Sequence, residues 1–277
     1  MLIFLFRVIP KGFISRAFGF FARANIPTTV LDLIINWYCK KYGVKTDEYF
    51  IPEKGFKTFD DFFTRTLRKQ LYQFDSQEGS IVSPVDARID QFGLINDDRI
   101  IQAKGIEYSL SDLIPSKTYK EFLDGLFITL YLSPADYHRI HSPVSGNING
   151  YFYIPGKLFT VQEYMVNGLK GLFTKNERLI SYITNQHSIV GVCKIGAMNV
   201  GRISLSYSNL KTNRTFKRRT EFFYPPMDQP KILKGEELGV FHLGSTIIML
   251  FQKNAVKFDN IDIGQRIRLG ERLALFS

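Results

Sequence analysis

Near its C-terminus the chain reads Leu243-Gly244-Ser245-Thr246, followed by the apolar run Ile247-Ile248-Met249-Leu250-Phe251. A serine hydroxyl can attack the carbonyl carbon of the residue before it and turn that amide into an ester. Glycine on the acyl side suits this step, because no side chain crowds the carbonyl and the backbone tolerates strained angles. β-Elimination of the ester cuts the chain and leaves dehydroalanine, which hydrolyses to a pyruvoyl group. That ketone is an electrophile no ordinary side chain supplies. The apolar run has the composition of a buried strand, which would hold Ser245 rigidly at its mouth. Gly-Ser-Thr alone also suits a plain turn entering a core strand, so the rest of the chain must decide.

Serine is a poor nucleophile until a neighbour takes its proton, and histidine is the side chain matched to that task near neutral pH. The chain has four histidines, His138, His141, His187 and His242. Two share the segment Asp136-Tyr137-His138-Arg139-Ile140-His141-Ser142-Pro143, where a loop leaves the apolar strand ending at Leu132. A carboxylate behind such a histidine would fix its tautomer and stabilise its protonated form. Asp86, in Ser83-Pro84-Val85-Asp86-Ala87-Arg88, suits this, because Pro84 stiffens the turn and a predicted strand lies beside it. Asp90 and Asp136 compete for the role. Capping a turn or pairing with Arg88 are plainer uses of Asp86. Zinc held by His138, His141 and Asp86 or Asp136 is a further option. The helical His-x-x-x-His spacing is absent, and Pro134 and Pro143 bracket the motif, so a metal-free site is expected.

The elements that must position these residues are α+β in pattern. A helix is predicted near 29–41, capped by Thr28 or Thr29, with Asp32 in its first turn, Lys40 and Lys41 in its last, and Gly43 beyond. A second begins at Thr58, where Thr58-Phe59-Asp60-Asp61 has the form of a capping box. From about residue 80 short β-type runs recur: Ile81-Val82, Arg99 to Ala103, Leu126 to Leu132, Asn147 to Ile154, Ser188 to Lys194, Val200 to Tyr207 and Thr246 to Gln252. One helical stretch near 109–124 interrupts them. The expected division is a helical, membrane-associating region over 1–78 and a β-rich, sandwich- or barrel-like catalytic body over 79–277. Two internal echoes suggest repeated turn-plus-strand units. Ser83-Pro84-Val85-Asp86 recurs as Ser142-Pro143-Val144-Ser145, and Gly235-Glu236-Glu237-Leu238-Gly239-Val240-Phe241 as Gly270-Glu271-Arg272-Leu273-Ala274-Leu275-Phe276.

A net charge of +10 calls for an acidic partner. No nucleic-acid motif is present, which leaves an anionic membrane. Residues 1–31 support this: Arg7, Lys11, Arg16 and Arg23 alternate with Leu2 to Phe6, Phe13, Ile14, Phe18, Phe20 and Phe21, with no acid among them before Asp32. No run of 18 apolar residues exists, so no spanning helix is expected. The two cysteines, Cys39 and Cys193, fit a reducing compartment. The cluster Lys211, Arg214, Lys217, Arg218 and Arg219 reads as a solvated loop, with lipid phosphate as its alternative partner.

Taken in order, these pieces resemble the phosphatidylserine decarboxylases, in the bacterial membrane-associated branch. The matching blocks are Ser83-Pro84-Val85-Asp86, Tyr131-Leu132-Ser133-Pro134 through Pro143-Val144, Tyr153-Ile154-Pro155-Gly156, Asn176-Glu177-Arg178, Ile195-Gly196-Ala197 with Val200-Gly201, and Lys234 through Phe241 leading to Leu243-Gly244-Ser245-Thr246. They cover roughly residues 55–277. The resemblance implies a proenzyme that cuts itself between Gly244 and Ser245 into a β chain (1–244) and an α chain (245–277). The cofactor is then a covalent pyruvoyl group made from Ser245, which forms a Schiff base with the substrate amine. By position Asp86, His141 and Ser245 match the family's self-cleavage triad, and His138 a histidine that assists the decarboxylation stage and is a candidate for the acid that reprotonates the product carbon. The reaction implied is phosphatidylserine to phosphatidylethanolamine and CO2, in phospholipid biosynthesis. The partners implied are phosphatidylserine in an anionic membrane, the two chains of one precursor, and a second αβ unit in a homodimer; nucleic acid is excluded. The location implied is peripheral, on the cytoplasmic face of the cell membrane.

Two stretches depart from the family pattern, Leu71-Tyr72-Gln73-Phe74-Asp75 and Asn185-Gln186-His187-Ser188, and both are expected to lie clear of the triad. Three rivals remain. A serine hydrolase would use the same residue types, but the Gly-x-Ser-x-Gly elbow is absent. A catalytically dead membrane-binding module would bind lipid without carbonyl chemistry. A related decarboxylase of other serine phospholipids would differ only in lipid selectivity.

Overall fold

The computed structural model describes residues 19–68, 72–198, 202–213, 218–242 and 245–277, with the backbone alone described at Ser245. Most of the basic amphipathic segment (1–18), Gly244, Val200-Gly201, and Arg214 and Lys217 of the basic cluster lie outside that set.

The fold is α+β. Helix α1 (Thr28–Tyr42) ends as its sequence predicts, with Gly43 at φ 72° donating its N–H to the Cys39 carbonyl and Lys40 and Lys41 in the last turn. Its start differs. The Pro27 carbonyl already accepts from Val30 and Leu31, so the helix begins a residue earlier than expected, neither threonine caps it, and Asp32 lies past the first turn. Helix α2 (Phe59–Phe63) begins as expected, with the Thr58 hydroxyl accepting from the Asp61 N–H at 3.1 Å. Leu31, Ile35 and Tyr38 of α1 meet Phe59, Phe62 and Phe63 of α2 in a small core of their own. Tyr38 stands edge-on to Phe59 and Phe62, the favoured aromatic geometry.

The strands are β1 (Ser80–Val82), β2 (Ala87–Leu94), β3 (Arg99–Ala103), β4 (Ile106–Ser109), β5 (Leu126–Leu132), β6 (Arg139–His141), β7 (Gly146–Ile154), β8 (Arg178–Thr184), β9 (Ile189–Gly196), β10 (Arg202–Leu205), β11 (Thr220–Phe223), β12 (Lys231–Ile232), β13 (Glu237–His242), β14 (Ser245–Phe251), β15 (Val256–Phe258), β16 (Arg266–Ile267) and β17 (Arg272–Phe276). The helical stretch expected over 109–124 is broken. Helix α3 (Leu110–Leu113), capped by Ser109, stops before Pro115, and a 3-10 turn over Lys117–Phe122 follows. Two single-turn helices, α4 (Glu163–Val166) and α5 (Leu172–Lys175), fill the connection from β7 to β8.

The main sheet is antiparallel, in the order β11-β7-β8-β9-β14-β5-β2-β16 with β12 also on β7, and among the described residues no sheet closes into a barrel. Strand β14 lies near its middle, between β9 and β5, with Ile247 to Phe251 fully buried. Each such side chain contributes roughly 1.5–3 kcal/mol of burial. The strand that Ser245 heads is therefore among the firmest in the molecule.

The echoed sequences form a pair of matching units. Strand β1 runs into Ser83-Pro84 and pairs with β17; β6 runs into Ser142-Pro143 and pairs with β13. Ser83 is bonded through its backbone to Gly270 and Glu271, and Ser142 in the same way to Gly235 and Glu236. The two turns then grip each other, His141 N–H to the Pro84 carbonyl at 2.9 Å and Val82 N–H to the Pro143 carbonyl at 3.1 Å. This exchange sets the Asp86 turn beside His141.

Candidate active site

His141, at the end of β6, has both ring nitrogens engaged. Nδ1 lies 2.7 Å from the Gly235 carbonyl, which can only accept, so Nδ1 carries the proton. Nε2 is left with its lone pair, and the Tyr137 hydroxyl donates to it at 3.1 Å. Burial pushes the His141 pKa down, with the Gly235 carbonyl and Glu237 opposing and Arg139 adding to the fall. The ring is thus neutral with its lone pair on Nε2, the protonation state a general base needs, and Tyr137 covers that lone pair. Gly235 sits at φ 87°, and a Cβ there would come within 3.0 Å of the Phe74 ring, so glycine is needed for this carbonyl to reach His141.

His138 repeats the pattern in a drier place. Its Nδ1 donates to the Asp136 carbonyl at 2.7 Å, its ring lies 4.1 Å from that of Phe63, and it is fully buried. Its Nε2 is buried without a hydrogen-bond partner among the described residues. Burial lowers its pKa to about 3, with Arg65 adding to the fall. His138 is therefore neutral at pH 7 and can donate from Nε2 only after that nitrogen has collected a proton.

Asp86 lies half-buried on the turn gripped by His141, and its Oδ1 accepts from the Leu269 N–H at 2.8 Å. It makes no hydrogen bond to His141; the carbonyl of Gly235 does the orienting expected of it. Burial raises the Asp86 pKa, the Leu269 N–H opposes, and Asp136 and Glu48 add to the rise. The competing carboxylates are committed elsewhere. Asp90 takes Arg88 at 2.8 Å, the pairing considered for Asp86, and Asp136 takes Arg266 and the Ser133 N–H. No cluster of three metal-ligating side chains occurs among the described residues.

Asp86 borders two polar clefts of about 450 and 390 Å³, whose walls include Tyr72, Glu48, Lys45, Arg266 and Arg268. The Leu71–Asp75 departure, expected to lie clear of the triad, in fact supplies Tyr72 to the Asp86 cleft and sets Phe74 6.1 Å from the His141 ring. Sequence spacing hid this because the segment reaches the site through distant turns, with the Asp75 N–H on the Gly270 carbonyl and the Phe74 ring against Gly235.

Ser245 pairs in register with Leu132 of β5 and Gly196 of β9. Gly196 is held in turn by the Asn-Glu-Arg block: its N–H donates to the Glu177 carbonyl at 2.7 Å and its carbonyl accepts from Asn176 Nδ2 at 2.9 Å. Leu132 and Ala197 also line an apolar cavity of about 470 Å³, roofed by Phe21, Ile34 and Trp37 and walled by Phe59 and Phe63. Phe63 thus separates that cavity from His138. The paired turns put Asp86 and His141 on adjoining segments, with His138 three residues before His141; Ser245 heads β14, and the structure adds Tyr137, Tyr72 and Phe74 around His141 and Asp86.

The fourth histidine also has a defined partner. His242 ends β13, two residues before Gly244, and its Nδ1 lies 2.9 Å from both carboxylate oxygens of Asp60 on α2. Its Nε2 faces Ser204 Oγ at 3.2 Å. Its place next to Gly244-Ser245 was the only signal in the sequence, and Asp60, 182 residues away, gave none.

A family model described as phosphatidylserine decarboxylase matches residues 59–275. Similar chains called phosphatidylserine decarboxylase proenzyme include one from Myxococcus xanthus, 37% identical over 99% of this chain and 97% of its own, and one from Alcanivorax borkumensis, 37% identical over 98% and 94%. A third, from Vibrio cholerae, is 38% identical over 96% of this chain and 95% of its own. With the paired turns, the two neutral histidines and the Ser245 strand in place, these matches over nearly the whole length put the chain in the phosphatidylserine decarboxylase family.

Proposed function

We propose that the chain is a proenzyme that cuts itself between Gly244 and Ser245 and then decarboxylates phosphatidylserine to phosphatidylethanolamine. The observation that carries this is a neutral His141, its Nδ1 proton held by the Gly235 carbonyl and its backbone bonded to the Pro84 turn that leads to Asp86, with Ser245 heading the buried strand beside an apolar cavity.

In the first stage His141 takes the Ser245 hydroxyl proton, and the serine oxygen attacks the Gly244 carbonyl carbon. The amide becomes an ester and the Ser245 nitrogen becomes an amine. Loss of the Ser245 α-proton then expels the Gly244 carboxylate, leaving dehydroalanine, and water releases ammonia and the pyruvoyl group. Residues 1–244 and 245–277 become the β and α chains. The orphaned Nε2 of His138, buried one ring behind the cavity wall, fits such a site, because its unpartnered lone pair is available to receive and return one proton. The pyruvoyl ketone supplies an acceptor for the substrate amine and for the electron pair left by CO2. Phe63 and Leu132 keep water from the acyl side, while Arg266, Arg268 and Lys45 line the polar side toward Asp86.

The division into a membrane-associating region (1–78) and a catalytic body (79–277) belongs to the same reading. Helix α1 is apolar on both faces: Leu31, Ile35 and Tyr38 point inward, while Leu33 and Trp37 are 70% and 57% exposed. An outer face of that kind, next to Phe20 and Phe21 and to Lys40 and Lys41, suits an anionic bilayer surface. No described helix is long and apolar enough to cross a membrane, and the enzyme is read as peripheral, on the cytoplasmic face. Homodimerisation of the αβ unit remains part of the proposal.

Intact mass under denaturing conditions, wild type beside Ser245→Ala, tests the cleavage. Wild type should give two fragments meeting at Gly244/Ser245, the smaller blocked by a pyruvoyl group, and release CO2 from phosphatidylserine. An active Ser245→Ala chain would sink the mechanism.

A further inference from the structure

We propose that Asp60 and His242 form a latch that positions the Gly244–Ser245 peptide for self-cleavage. The proposal rests on the cleavage reading above and adds two positioning residues to it.

His242 is the last residue of β13, in register with Arg202 of β10, and Phe241 before it donates its N–H to the His138 carbonyl at 2.9 Å. Strand β14 starts at Ser245, already paired on both sides. Only Leu243 and Gly244 join these two fixed points, and consecutive Cα atoms are about 3.8 Å apart. A displacement of His242 is therefore passed into the short link that carries the peptide Ser245 attacks. A misplacement of about 1 Å at reacting atoms can cost about a hundredfold in rate.

The anchor holding His242 is unusual for a purely structural contact. Asp60 and His242 are 7% and 9% exposed, and among the described residues the Asp60 carboxylate meets only His242, with both oxygens at 2.9 Å. Taking a carboxylate out of water costs more than one such contact regains, so a buried pair of this kind adds little to stability beyond what an apolar pair would give. What it adds is direction. The two equal contacts fix the imidazole in plane, and Ser204 Oγ at Nε2 fixes its other end. Asp60 also lies on α2, whose Phe59 and Phe63 wall the apolar cavity, so the latch registers the helical part of the chain against the cleavage segment.

The test is a pulse–chase of the full-length chain made by cell-free translation, following the uncut fraction with time. Replacing both partners, Asp60→Leu with His242→Phe, exchanges the latch for an apolar pair. In the uncut Ser245→Ala background this double variant should melt at or above the parent Tm, yet with Ser245 restored it should cleave about tenfold or more slowly, the rate equivalent of one lost charge-assisted hydrogen bond. His242→Asn, whose amide nitrogen stands near the place of Nδ1, should recover cleavage to within about threefold of wild type, since it restores the hydrogen bond. Asp60→Ala, which adds no bulk, carries the same test if the apolar pair does not fold. A double variant, or Asp60→Ala, that cleaves at the wild-type rate overturns the latch, as does an Asn variant no faster than the apolar pair. Wild type that stays uncut overturns the cleavage reading itself, so the two failures are distinct.

Discussion

The Tyr137 hydroxyl donates to Nε2 of His141 while the Nδ1 proton of the same ring is held by the Gly235 carbonyl. The phenol therefore occupies the lone pair that a base would turn toward Ser245. A bond donated to the neutral ring favours the neutral form and lowers its proton affinity. Tyr137→Phe should move the acid limb of the cleavage rate against pH upward by roughly half a pH unit, as expected for loss of one neutral hydrogen bond. An unmoved limb, read from cleavage half-times across pH, would mean that His141 is not the base.

Asp86→Asn should separate stability from function. Burial raises the Asp86 pKa. A carboxyl raised above its unfolded value favours folding only below that value, and its ionised form costs stability at neutral pH. The Asn oxygen can still accept from Leu269. The variant should therefore melt at or above the parent Tm at pH 7 in the Ser245→Ala background, while its cleavage slows about tenfold or more. A lower Tm together with normal cleavage would reduce Asp86 to a turn cap.

His138 makes the fold acid-sensitive. Its folded-state pKa falls from 6.5 to about 3 by burial. Its contribution is thus complete above the unfolded histidine value and drains away as pH drops from there toward about 3. The loss is on the order of 1 kcal/mol per pH unit. Urea unfolding of the uncut chain should show this slope, and His138→Gln should flatten it. An equal slope in both chains would place the acid sensitivity elsewhere.

Lys194 acts in the neutral-to-alkaline range. It is fully buried on β9, donates to Ser181 Oγ at 2.6 Å and to the Val192 carbonyl at 3.3 Å, and burial lowers its pKa from 10.5 to about 7. A base lowered in this way stabilises fully only above its unfolded value, and that stability is lost as pH falls toward 7. Between about pH 7 and 9 unfolding free energy should rise with pH by on the order of 1 kcal/mol per unit, and Lys194→Met should be more stable at pH 7 and lose the rise. A rise retained in Lys194→Met would assign it to another group.

The outer face of α1 should carry membrane affinity. Leu33→Asp and Trp37→Asp each place a charge on an exposed apolar face and should lower co-sedimentation with anionic vesicles severalfold, with the melting temperature unchanged. Undiminished binding in both variants would move the contact to the residues before Phe20.

Local chemistry is written along the chain, and the sequence determined the features that depend on it: the strand after Ser245, the Thr58 cap, the Gly43 stop, the twin Ser-Pro-Val turns and the pair His138 and His141. Hydrophobic period, turn residues and caps act within a few positions, so a linear reading finds them. The start of α1 and the break at Pro115 were misjudged because backbone groups and one proline outweighed side-chain propensity there. Tertiary structure alone decided the partners. Gly235 rather than Asp86 orients His141, Tyr137 covers its base nitrogen, Tyr72 and Phe74 arrive from a segment that looked remote, and Asp60 crosses 182 residues to hold His242. A hydrogen bond between distant residues depends on how helices and sheets pack, and a single sequence carries no local mark of that packing.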